Sequence, residues 1–261
     1  MEIQVERLSG TDAGIALLGL NRPSAKNALG RQLLAEFRQA LAELRFDAGV
    51  RVLVVHSLVP GVFCAGADLK ERAGMSSAET AAFVHGLRSA FTELEELPMP
   101  VLAVLEGAAF GGGLELALVA DLRVAGADAK MGLVETALAI IPGAGGTQRL
   151  PRLIGASRAK ELIFTARRIG AEEASRIGLV DRVVPAGEAL ESALALAREI
   201  LPNGPVALRM AKQAVNRGLE LSLDLGLAFE QACYAQVIPT TDRLEGLAAF
   251  REKRKPQYRG E

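Results

Sequence analysis

Apolar and polar positions sort the chain into two kinds of segment. Ile3–Leu8 alternates and Gly14–Leu20 is a short apolar run, with Ser9, Gly10, Thr11 and Asp12 between them. This pattern predicts a hairpin of two strands. After the break at Asn21-Arg22-Pro23-Ser24, Leu33, Leu34, Phe37, Leu41 and Leu44 recur at three- and four-residue spacing, the period of an amphipathic helix. Val50–His56 is a continuous apolar run of the kind that forms a strand buried on both faces. A second amphipathic helix is expected from about Ala78 to Leu97, where Pro98 and Pro100 stop it. Strands at Val101–Leu105 and Leu122–Ala125 flank a glycine-rich turn, Gly107–Gly113, and a short apolar helix, Leu114–Ala120.

Strands that alternate with helices require crossover connections and a mostly parallel sheet. From about Ala171 onward helical patterns take over, at Gly187–Leu201, Pro205–Arg217, Ser222–Tyr234 and Thr241–Arg254. The expected organisation is an α/β core over residues 1–185 and a helical C-terminal region over residues 186–261. No clear internal repeat is visible.

Composition narrows the chemistry. The two cysteines, Cys64 and Cys233, cannot form a disulfide framework or a cysteine-rich zinc site. His56 and His85 are the sole histidines, which leaves few parts for histidine-centred catalysis or a metal site. A net charge of -1 offers no general basic field for nucleic acid, and no apolar run approaches the length of a membrane span. The start, MEIQVERL, does not read as a targeting peptide. Carboxylates, hydroxyls, lysines and backbone groups remain as candidates.

Three glycine-rich stretches stand out: Phe63-Cys64-Ala65-Gly66-Ala67-Asp68, Gly111-Gly112-Gly113-Leu114-Glu115 and Ile141-Pro142-Gly143-Ala144-Gly145-Gly146-Thr147. None fits a dinucleotide fingerprint or a P-loop. Small residues at strand-to-helix turns let a ligand approach backbone N–H groups, which can stabilise developing negative charge. They also simply permit tight turns. Glu115 lies in an otherwise apolar helix and Glu135 follows in Met131-Gly132-Leu133-Val134-Glu135-Thr136. The pair could hold a water between them as acid and base, or could be neutralised by Arg123 and Arg149; spacing alone does not choose.

FCAGADLKE, GGGLELALVADLRVA and MGLVETALAIIPGAGGTQRLPRLIG together resemble the crotonase (enoyl-CoA hydratase/isomerase) superfamily. The resemblance runs from NRPSAKNAL to DRLEGLAAFREKRKPQYRG, nearly the whole chain. It implies the crotonase fold, a spiral of β-β-α units with a helical C-terminal trimerisation region. It also implies reversible syn addition of water to the 2,3-double bond of an acyl-CoA thioester. The C-terminal pattern resembles the branch that hydrates 3-methylglutaconyl-CoA in leucine degradation.

By the same resemblance, Glu115 and Glu135 would be the catalytic acids, with Glu135 protonating Cα and Glu115 activating the water. The N–H groups of Ala65 and Gly112 would form the oxyanion hole. Lys26, Ala67, Asp68 and Leu69 would lie along CoA, as would Phe250 and Lys253 of the C-terminal helix, often from a neighbouring subunit. Met75, Phe83, Leu87 and Ile140 are candidates for the acyl pocket, although each also suits the core. No metal and no cofactor beyond the CoA of the substrate is implied. A homotrimer or dimer of trimers is implied, in the mitochondrial matrix for a processed eukaryotic chain and in the cytoplasm otherwise. Two alternatives stand beside hydration: an acyl-CoA isomerase, and an added role in binding AU-rich RNA. The first long helix, with three Arg, two Glu and no Lys, disfavours RNA because its charges can pair along the helix.

Overall fold

A computed structural model describes all 261 residues. The strands are β1 (Ile3–Arg7), β2 (Ile15–Leu20), β3 (Val52–Ser57), β4 (Val62–Cys64), β5 (Val101–Leu105), β6 (Ala108–Phe110), β7 (Leu122–Gly126), β8 (Lys130–Gly132), β9 (Ile169–Gly170) and β10 (Arg182–Val184). The first helices are α1 (Arg31–Arg45), α2 (Leu69–Ala73), α3 (Ser77–Glu95) and α4 (Gly112–Leu118). They are followed by α5 (Gly146–Ile154), α6 (Ala156–Thr165), α7 (Ala171–Arg176), α8 (Ala189–Ile200), α9 (Pro205–Gly218), α10 (Leu223–Val237) and α11 (Thr241–Glu252).

A six-stranded sheet runs β1-β2-β3-β5-β7-β10, and a four-stranded sheet runs β4-β6-β8-β9. Only β1 in the large sheet and β9 in the small one are antiparallel to their neighbours. The chain passes from the large sheet to the small one and then into helix at β3-β4, again at β5-β6 and again at β7-β8. The repeat absent from the sequence is therefore present in space, as successive β-β-α turns of a spiral. β4, β6 and β8 have three residues each, too few to show a period, which is why the sequence pattern does not predict them as strands.

Continuous apolar strands are explained by what covers them. Leu53 and Val55 of β3 face the main core with Leu33, Phe37 and Leu41 of α1 and Leu87, Phe91 and Leu94 of α3. Val52 and Val54 face the other way, onto Ala189, Ala193 and Ala197 of α8. The large sheet is thus a middle layer, and its strands must be apolar on both faces. The boundary expected at 185 needs correction for the same reason. It falls before α8, whose buried alanines seal the second face of the sheet, so the core extends to about residue 200.

Beyond α8 the packing changes. α9 has no buried residue, α10 has only Cys233, and α11 has Asp242 and Ala249. Lys212 ties α9 to the core, its Nζ 2.8 Å from the Asp121 carboxylate and 3.0 Å from the Met99 carbonyl. The last residues fold back onto α11, where the Asp242 carboxylate accepts the N–H groups of Arg259 and Gly260. No helix is long and apolar enough to cross a membrane.

Two of the three cations of α1 are paired, though not by the local pairs expected from its sequence. Arg31 pairs with Glu71 and Glu79, and Arg38 with Glu93, all on α2 and α3. Glu36 instead accepts the backbone N–H groups of Glu2 and Ile3.

Candidate active site

The small sheet places the site. Each of its parallel strands delivers one part from its C-terminal end: Ala65–Asp68 after β4, Gly111–Glu115 after β6, and Val134-Glu135 after β8. All three line one cleft of about 1670 Å³.

The first part is held by Asn27, a fully buried side chain that sequence patterning did not single out. Its Nδ2 donates to the Ser57 hydroxyl and the Phe63 carbonyl, and its Oδ1 accepts the Arg22 N–H. This straps residues 26–29 beside the exit of β4. Lone polar residues that organise a loop carry no periodic signal, so only the fold exposes them.

The strap decides which N–H groups remain free. The Ala65 N–H, implied by the family resemblance as an oxyanion donor, is taken by the Lys26 carbonyl at 3.1 Å. Ala65 must therefore be replaced in that role. Leu29 and Ala67 form a parallel bridge in which Leu29 N–H donates to Gly66 and Asp68 N–H donates to Leu29. Such a bridge leaves the N–H of Ala67 itself pointing to the opposite side, and it makes no hydrogen bond within the protein. Gly112, first residue of α4, also has an N–H with no intrahelical partner. A β-carbon on Gly112 would lie 3.8 Å from the Ala67 nitrogen, so the two free donors are neighbours.

Gly111 makes the turn into α4 with φ 52 and ψ -125, a region open in practice only to glycine. Any side chain there would also press on Glu135, coming 3.0 Å from its Oε1. The turn is thus shaped around the second acid.

The two acids differ in their surroundings. Glu115 is 3% exposed, and its Oε1 accepts the N–H groups of Ala144 at 2.8 Å and Gly146 at 2.7 Å. Burial raises its pKa, opposed by those two N–H groups and then by the charges of Arg149 and Arg88. Glu135 has a buried Oε2 with no hydrogen-bond partner. Burial, with the nearby Glu115 charge added, pushes its pKa up to about 7. Neither acid is neutralised by an ion pair: Arg123 pairs with Asp181, and Arg149 with Glu95. Glu115 is therefore a carboxyl fixed in place by two backbone N–H groups, and Glu135 is one that lacks such an anchor and whose pKa is pushed up to about 7. The arrangement can remove a proton at one point and deliver one at another, beside two neighbouring free donors.

The remaining candidates divide. Leu69, Leu87 and Ile140 line the cleft, Phe83 belongs to the core, and Met75 borders an adjoining shallow recess. Asp68 lines none of it; its carboxylate caps α2 through the N–H groups of Lys70 and Glu71 and pairs with Arg22. Lys26 contributes its carbonyl to the strap. Phe250, 86% exposed, lies on the C-terminal helix and Lys253 caps its end, and neither reaches this chain's own cleft.

The enoyl-CoA hydratase/isomerase family profile matches residues 10–261. The mitochondrial methylglutaconyl-CoA hydratase of Homo sapiens is 54% identical over 264 residues, covering 100% of this chain and 78% of that protein. The human mitochondrial enoyl-CoA hydratase domain-containing protein 2 is also 54% identical, over 99% of this chain and 90% of its own length. The crystal structure of an enoyl-CoA hydratase from Bacillus anthracis superposes with a TM-score of 0.96 at 48% identity, covering all of both chains.

Proposed function

The chain belongs to the enoyl-CoA hydratase/isomerase family, and on that premise we propose that this cleft hydrates a short enoyl-CoA. The reaction is reversible addition of water across the 2,3-double bond of the thioester. The observation that carries the proposal is the pairing of an unpartnered, proton-holding Glu135 with a backbone-anchored Glu115.

The thioester oxygen accepts the N–H groups of Ala67 and Gly112. A water lies between the acids; Glu115 takes its proton, and the hydroxide adds to C3. The electron pair moves onto the thioester oxygen as an enolate, which the two preformed donors stabilise without reorganisation. Glu135 then protonates C2. The added groups come from one face, and a proton passed between the neighbouring carboxyls restores the starting state. An isomerase needs one acid to carry a proton between two carbons, so a second buried acid with its own backbone anchor favours hydration. The mechanism draws on this chain, the substrate and water alone.

Three finer points belong to the same proposal. The name of the human relative, together with the C-terminal pattern, supports 3-methylglutaconyl-CoA as substrate. The exposed apolar faces of α9–α11 support assembly into a trimer or dimer of trimers, with Phe250 and Lys253 reaching CoA held in a neighbouring subunit. Mitochondrial relatives and the Bacillus subtilis YngF protein leave matrix and cytoplasm as the alternative compartments. RNA binding is disfavoured, because two of the three cations of α1, Arg31 and Arg38, are already paired with acids of α2 and α3.

Turnover of crotonyl-CoA, followed by loss of the conjugated-thioester absorbance, tests the assignment. Activity in the unaltered chain and a fall of about 10²-fold or more in Glu115→Ala is expected. Near-normal turnover in that variant would remove Glu115 from the mechanism.

A further inference from the structure

The third glycine-rich stretch, residues 141–147, contributes no side chain to the reaction, yet it holds Glu115. Three consecutive peptides do the holding. The first and third, 143–144 and 145–146, each donate an N–H to Glu115 Oε1, at 2.8 and 2.7 Å. Their carbonyls are occupied in turn. That of Gly143 accepts from Arg88, and that of Gly145 accepts the backbone N–H groups of Gln148 and Arg149 in the first turn of α5. The middle peptide, 144–145, turns its carbonyl to the guanidinium of Arg149, whose Nη1 donates at 3.3 Å.

Arg149 is itself held. Its Nε and Nη2 meet Glu95 of α3 in a two-point pair, at 3.1 and 2.6 Å, and Nη2 also donates to the Thr92 hydroxyl at 3.3 Å. All three guanidinium nitrogens are thus committed, and the side chain is 18% exposed. Two glycines divide the space beside it. Gly145 has φ +116, and a β-carbon there would collide with Arg149 Nη1. A β-carbon on Gly146 would lie 3.0 Å from Glu115 Oε1. One glycine clears room for the arginine and the next for the acid. An ion pair that only fastened α5 to α3 would need the edge facing Glu95 and no such clearance for Nη1.

We propose that Arg149 is a positioning residue for hydration: braced by Glu95 and Thr92, it fixes the peptide that lies between the two anchoring Glu115. The inference rests on the hydratase reading above and adds to it the group that sets the stance of the base. Planar peptides leave rotation only at the α-carbons between them, so turning the middle one swings both neighbouring N–H groups away from Oε1. A reacting group displaced by about 1 Å can cost about 10²-fold in rate. Charge works in the same direction. The Arg149 cation favours the ionised form of Glu115 against burial, ahead of the exposed Arg88, and Glu135 is the acid coupled to Glu115. Glu95 offsets part of the Arg149 charge.

Crotonyl-CoA hydration measured across pH tests the inference. Arg149→Gln should lower kcat about tenfold or more while KM changes less than about threefold. It should also move the acid limb of kcat/KM to higher pH, since Glu115 loses a charge that favours its ionised form. Glu95→Gln should move that limb to lower pH, because the Arg149 charge is then unopposed. Arg149→Lys keeps the charge and loses the fork, so the limb should stay near its original place with kcat only partly restored. A mere brace between helices would lower kcat in all three variants and leave the limb unmoved, a result that overturns the inference. A loss in Arg149→Gln that falls on KM and not on kcat would make Arg149 a substrate contact and overturn it as well. If Arg149→Gln fails to fold by circular dichroism, the limb in Glu95→Gln decides: a fall supports the inference and an unmoved limb overturns it. Each of these outcomes leaves the hydratase reading intact, whereas inertness of the unaltered chain toward crotonyl-CoA would remove that reading and the inference with it.

Discussion

The spiral core and the last three helices bury their apolar residues by different means. In the core, β3 and β5 are covered on both faces, by α1 and α3 on one side and α8 on the other. In α9–α11, Val215, Leu223 and Phe250 stay 59%, 76% and 86% exposed although the helices are well formed. Large apolar side chains left exposed at this density fit the assembly proposed above better than a free face. The core completes itself within one chain, and the helical region leaves the apolar surface that the proposed assembly would cover. Catalysis should follow the first region and assembly the second.

The largest effect expected within the core is on turnover. Glu135→Gln should lower crotonyl-CoA hydration by about 10²–10⁴-fold, with circular dichroism and sedimentation unchanged. A change in sedimentation would show that the two regions are not separable. In the helical region the reverse is expected: Leu223→Glu combined with Phe250→Glu should shift the sedimenting species toward monomer at micromolar concentration. The far-ultraviolet spectrum should not change, since neither residue is covered within the chain. An unchanged mass would mean that another surface assembles the protein.

The pH dependence sharpens the core side. Glu135 must hold a proton to deliver it, so kcat/KM for hydration should fall above about pH 7, where that carboxyl ionises. Stability carries the same signature. The folded pKa of Glu135 lies above its ordinary value of 4.5, so its contribution is fully present below pH 4.5 and is lost as pH rises through about 7. Glu135→Gln should remove this loss and raise stability at pH 8 by about 1–3 kcal/mol in a urea titration. The smallest effect concerns the link between regions. Lys212→Met leaves the Asp121 carboxylate without its cation and should cost about 1–3 kcal/mol, read as a lower urea midpoint with kcat for crotonyl-CoA reduced less than threefold.

Much of this was legible along the chain. The apolar runs at Val50–His56 and Val101–Leu105 announce doubly covered strands, and the periods at Leu33–Leu44 and in the C-terminal segments announce helices. Glu115 and Glu135 stand out because each is an acid in apolar surroundings beside a glycine-rich turn. β4, β6 and β8 escaped notice because three residues cannot display a period. α8 was grouped with the helices after it because an amphipathic pattern shows which face is apolar but not what will cover it. Asn27 was missed for a related reason: its value lies in partners at Ser57 and Phe63, far along the chain.

The sequence by itself therefore determined the longer strands and helices, the two candidate acids and the glycines that let backbone approach the ligand. Period and composition are local properties, and they survive being read one residue at a time. Only the tertiary structure decided that the Ala67 N–H and not that of Ala65 is free, because that depends on which side of a bridge to Leu29 each peptide faces. Only it separated the two carboxyls into one anchored by backbone N–H groups and one with an unpartnered oxygen. Desolvation and the charge of a neighbour depend on distance in space, and the residues that impose them come from different turns of the spiral.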